Sequence, residues 1–146
     1  MLTVENVIKD PKLYAISGNV HLHEGISQGG LPSVPPVNII QTDQNLYAHF
    51  VWRQTGFLSK MLSGRWQIRV FFELMGAGEV ANPAPRYTTF VQTEGHTYSA
   101  FVNIPAGSLR EGIYKVFATL QLEGLKGNPT PIAAYEEIGV LQVYND

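Results

Sequence analysis

Four stretches of this chain alternate apolar and polar residues one for one, and none sustains the three-to-four-residue spacing of an amphipathic helix. In the first, Leu46, Ala48, Phe50 and Trp52 alternate with Tyr47, His49, Val51 and Arg53. In the second, Trp66, Ile68, Val70, Phe72 and Leu74 alternate with Arg65, Gln67, Arg69, Phe71 and Glu73. Tyr98 to Ile104 and Tyr114 to Leu122 repeat the pattern. Successive side chains of a strand point to opposite faces, so each run has one face fit for a core and one that is mostly polar. Weaker strands are predicted at Leu13–His23, Val37–Thr42, Arg86–Thr93 and Ile132–Tyr144. The last is bulged or split near Gly139, where the alternation loses phase.

Turn chemistry separates these runs. Glu94-Gly95-His96 has the form of a tight hairpin between two strands, and the Gly- and Pro-rich stretches 76–85 and 124–131 read as loops. Residues 29–36, with two glycines and three prolines, read as an extended crossover between sheets. The length of 146 residues is that of one domain. We expect residues 1–36 to form an N-terminal strand and crossover, and 37–146 the body of an all-β, two-sheet antiparallel sandwich of about eight strands.

The segment from Ile104 to Leu120 contains Gly112-Ile113-Tyr114 at the opening of a strand. It resembles the corner before the sixth strand of immunoglobulin-like and fibronectin-type-III-like domains, whose tyrosine hydroxyl bonds back to the loop backbone. Trp52 fits the core tryptophan of those folds. The resemblance spans roughly residues 37 to 144 and departs in lacking both inter-sheet cysteines and in extra length at the N-terminus. It implies an immunoglobulin-like sandwich and little about function, because that architecture hosts unrelated activities.

Composition narrows the functional classes. Without cysteine there are no disulfides, thiolate metal sites or cysteine nucleophiles. Ten basic residues never cluster, and the net charge is −2, so the basic footprint of a nucleic-acid binder is missing. No apolar run has the length of a signal peptide or a membrane span, which predicts a cytoplasmic location. Charged residues are 15% of the chain against about 25% in an average globular protein, and 45% are hydrophobic, so part of the surface is expected to be covered by a partner.

Candidate sites are few. His21 and His23 share one strand face beside Glu24, as some β-barrel metal sites begin, but too few ligands converge, and alternation turns both rings to solvent. A third ligand would have to be His49 or His96. Glu73 and Glu79 flank a glycine loop that reads as solvated, because a calcium loop brings more carboxylates. No nucleophile elbow or convincing carboxylate pair is present, so no catalytic residue, metal or cofactor is expected.

Binding has better support. The loop between the first two clear strands carries Phe57, Leu58, Met61 and Leu62, unusually apolar for a connection. It either docks a partner or folds back to cap the sandwich. Phe71, Phe101 and Phe117 fall on otherwise polar strand faces, with Phe71 and Phe117 expected on one sheet and Phe101 on the other. The reading is a non-enzymatic module acting through protein–protein contact, with itself as a homodimer or with another protein. A small-molecule or glycan-binding sandwich, stacking its ligand on Tyr47, Phe71, Tyr87 or Tyr135, is the alternative. A metal-dependent enzyme built on His21 and His23 comes third.

Overall fold

The four alternating runs become the long strands around which the fold is built. A computed structural model describes residues 1–6, 8–24, 37–80 and 82–145. In chain order the strands are β1 (Thr3–Asn6), β2 (Ala15–His23), β3 (Ile39–Gln41), β4 (Leu46–Thr55), β5 (Arg65–Leu74), β6 (Gly78–Glu79), β7 (Arg86–Thr89), β8 (Thr97–Ile104), β9 (Gly112–Glu123) and β10 (Pro129–Tyr144). The large sheet runs β1-β10-β9-β5-β6; β3 also pairs with β10, and β7 with β5. The small sheet is β2-β4-β8. All pairings are antiparallel except that of β3 with β10. Among the described residues no helix is long and apolar enough to cross a membrane.

The apolar faces meet between the sheets. Trp52 and Trp66 are fully buried, with ring centroids 6.0 Å apart, and Trp52 stacks on Tyr98 at 4.9 Å. Beside them Gln54, on the core face of β4, is buried without being orphaned. The Tyr98 and Tyr14 hydroxyls donate to its Oε1 at 3.0 and 3.3 Å, and its Nε2 donates to the carbonyls of Val91 and Thr93 at 2.6 and 2.9 Å. A buried amide is tolerated when it is satisfied, and this one ties Val91 and Thr93 to Tyr98 of β8 and to Tyr14, just before β2. At the start of β9, the fully buried Tyr114 donates its hydroxyl to the Arg110 carbonyl at 2.6 Å, the backward bond of a tyrosine corner.

Several expectations need correction. Glu94-Gly95-His96 makes a turn but no hairpin: β7 stops at Thr89 and pairs with β5 in the large sheet, while β8 pairs with β4 in the small one. Phe90 turns into the core and the Val91 and Thr93 carbonyls accept from Gln54, so the segment crosses between sheets. There are ten described strands rather than about eight. The short ones have no alternation to reveal them, Thr3–Asn6 among them. Residues 1–24 supply β1 to one sheet and β2 to the other. The proposed crossover at 29–36 lies outside the described residues. Near Gly139 the β9–β10 register slips between Glu137 and Gly139, a bulge where the alternation loses phase.

Candidate functional site

The outer face of the large sheet is set by its registers. One row across the strands is Thr3, Tyr135, Thr119 and Arg69; the row beside it is Glu5, Ala133, Gln121, Gln67 and Tyr87. On the other side of the first row, Glu137, Phe117 and Phe71 are aligned. The short side chains of Thr119 and Ala133 sit in the middle of these rows, with larger ones around them. The result is a groove of about 370 Å³ lined by Glu5, Gln67, Arg69, Phe71, Thr119, Gln121, Ala133 and Tyr135. That volume lies within the range of small-ligand pockets, about 300–1,000 Å³. Tyr135 is 46% exposed, whereas Phe71 is half-buried.

Charges on this face differ in their pairing. Arg65 bonds Glu123 at 2.9 Å and lies 3.9 Å over the Tyr87 ring, which takes one face of that ring out of use for a ligand. Arg69 has no such partners. Its Nε–H is buried and donates to no acceptor among the described residues, and the side chain lines the groove. Of the sequence-predicted stacking residues, the structure brings Phe71 and Tyr135 to the groove. Tyr87 stands at its edge, and Tyr47 lies on the small sheet opposite His23. Thr119, Gln121 and Ala133 were not singled out by sequence; only the pairing of β5, β9 and β10 reveals that they share one surface with Arg69.

Phe71 and Phe117 are direct cross-strand partners, both half-buried, and Phe101 lies on the small sheet. The apolar loop divides. Phe57–Lys60 form a single 3-10 turn clamped against residues 12 and 13 by backbone bonds from Phe57 and Leu58. Leu58 and Leu62 pack on the core, while Phe57 and Met61 stay 57% and 63% exposed. Half of the loop therefore caps the sandwich and half faces water.

On the outer face of the small sheet His21 and His49 are cross-strand partners, and His23 lies 6.4 Å from His21 and 6.2 Å from His49 between ring centroids. His49, not His96, is the third histidine; His96 packs against Tyr98. His21 is exposed as alternation requires, but His23 is only 5% exposed. Its ring packs edge-on to that of His21 and tilted against that of His49. His49 stacks on Phe101 at 4.3 Å and shares a 2.8 Å hydrogen bond with the Ser99 hydroxyl through Nε2. Burial, then the neighbouring His23 and His21, lower its pKa below the usual histidine value. Among the described residues no three His, Asp or Glu side chains are arranged to hold a metal ion. Glu73 and Glu79 are register partners across the β5–β6 hairpin.

No protein-family model matches the sequence, and a search of curated proteins finds no relative. Among solved structures the chain is similar to the C-terminal domain of Wzt, with a TM-score of 0.56 and 9% identity, covering 91% of this chain and 79% of that one. It is also similar to the CARDB domain of the PF1109 protein from Pyrococcus furiosus, solved in complex with di-metal ions. That match has a TM-score of 0.51 and 9% identity over 92% of this chain and 97% of the other. Likeness at this identity is one of fold, and it agrees with the two packed sheets and the tyrosine corner: the protein is an all-β sandwich of the immunoglobulin-like kind.

Proposed function

We propose that the domain is a non-catalytic binding module that recognises carbohydrate on the outer face of its large sheet. The observation that carries this reading is the groove, where one exposed tyrosine and one half-buried phenylalanine stand among two amides, a guanidinium and a hydroxyl. Sugars present apolar C–H faces that suit an aromatic ring and hydroxyls that need planar donors and acceptors in fixed directions. Side chains mounted on three paired strands provide both with little loss of rotamer freedom, which favours a preformed site. Catalysis has weaker support. Ser99 and His49 have the separation of nucleophile and base, yet among the described residues the other neighbours of His49 are two imidazoles and a phenyl ring. None carries the negative charge that stabilises an imidazolium, and its basicity is lowered rather than raised.

Native electrophoresis through gels containing soluble polysaccharides tests the reading. The wild type is retarded by at least one polymer, and Tyr135→Ala abolishes the retardation while keeping its urea midpoint. Mobility unchanged in every gel would sink it.

Self-association is a second reading, favoured by the adjacency of Phe71 and Phe117 on one outer face. Phenylalanines at a two-fold seam are used once by each subunit. Sedimentation equilibrium at micromolar concentration separates the cases. A mass above the 16.2 kDa of one chain, restored to that value by Phe117→Glu, supports it; 16.2 kDa at all concentrations removes it.

A further inference from the structure

We infer that the groove takes an acidic sugar and that Arg69 receives its carboxylate; this rests on the carbohydrate reading above. Three other arginines show what a satisfied guanidinium looks like in this protein. Arg65 has Glu123 and Tyr87, Arg53 donates to the Gly95 carbonyl, and Arg86 donates to the Phe101 carbonyl. Among the described residues Arg69, alone of these four, has no protein acceptor, and its Nε is buried away from water. Burying a charged donor without a partner is costly, so a position that keeps one is poised for an acceptor supplied from outside.

Its surroundings define the acceptor. Arg69 sits on β5 opposite Thr119, in the row that runs on through Tyr135 to Thr3, with Gln67 and Phe71 next along its own strand face. A guanidinium presents donors in a planar fork that matches the two oxygens of a carboxylate. A uronic acid places that carboxylate at the edge of a sugar ring whose C–H face can lie on Tyr135. Glu5 borders the opposite side of the groove beside Ala133 and forms no ion pair with Arg69. It disfavours a second anion there, so one carboxylate per bound unit suits the site better than a densely charged chain.

An array carrying uronic-acid oligosaccharides, sulfated oligosaccharides and neutral xylo-, cello- and manno-oligosaccharides tests this, with wild type, Arg69→Gln and Arg69→Lys compared after their urea midpoints are matched. The expected result is binding to uronic-acid spots, a loss of about tenfold or more in affinity for Arg69→Gln, and an intermediate loss for Arg69→Lys, whose charge lacks the fork. Methyl esterification of the best ligand should cost the wild type as much as the Gln substitution does. Binding confined to neutral spots, or uronate binding indifferent to Arg69, overturns the inference and leaves the carbohydrate reading standing. Preference for sulfated spots replaces the carboxylate by a sulfate ester and overturns the assignment of the acid. Blank arrays for all three proteins overturn both.

Discussion

Single side chains fix two features of this sandwich. The Tyr114 hydroxyl is spent on one carbonyl, that of Arg110, and burial raises its pKa, so it stays a protonated donor. Tyr114→Phe removes the bond but keeps the ring; we expect a loss of about 1–2 kcal/mol in stability, seen as a lower urea midpoint with unchanged far-ultraviolet circular dichroism. His49 carries a pH dependence. Its folded pKa lies below the 6.5 of a free histidine because it is buried and faces His23 and His21, with Phe101 and Ser99 covering its other sides. As pH falls through 6.5 the unfolded chain takes up a proton that the native state refuses. Stability is therefore full above 6.5, declines below it, and levels off once the folded value is passed. Urea midpoints between pH 7.5 and 5 should fall less steeply in His49→Gln than in the wild type.

At the scale of elements, the contacts between β2 and β4 leave no spare room at Gly18. A Cβ there would strike the Val51 carbonyl and come within 2.7 Å of the Trp52 Cα. Gly18→Ala must push the two strands apart and should cost about 1–3 kcal/mol, measured by thermal or urea unfolding. The 3-10 turn after β4 makes a contrasting pair. Leu58 packs on the core and Phe57 faces water, so Leu58→Glu should lower the urea midpoint clearly while Phe57→Glu stays within about 0.5 kcal/mol of wild type. Equal effects of the two substitutions would contradict the division of this loop into a cap and an exposed half.

Across the whole molecule, stability depends on the chain's first strands as much as on its longest ones. β2 brings Ile16, Val20 and Leu22 into the core and β1 closes an edge of β10. Each such aliphatic side chain contributes about 1.5–3 kcal/mol on burial, and a domain of this size has about 5–15 kcal/mol in all. Deleting residues 1–24 should therefore abolish a cooperative unfolding transition, which a urea titration followed by tryptophan fluorescence will show. A truncated chain with a wild-type transition would mean that residues 37–146 form a self-sufficient body.

Much of this architecture was legible in the order of residues. Alternation in four runs marked the long strands and their inward faces, because a strand's two-residue period is a local property of the backbone. Gly112-Ile113-Tyr114 announced the corner for the same reason: donor and acceptor are only four residues apart. Strands too short to alternate, such as β1, left no mark, and Glu94-Gly95-His96 showed a turn without showing which sheets it joins. The groove was least legible of all. Phe71 and Tyr135 could be named as exposed aromatics, but the registers of β5, β9 and β10 place Arg69 beside Thr119 and Tyr135. Those registers align residues far apart in the chain, 66 positions in the case of Arg69 and Tyr135, and no local pattern announces them. Alternation marks the inward faces of the long strands because it is local; which outward side chains become neighbours follows from strand pairing, which is not.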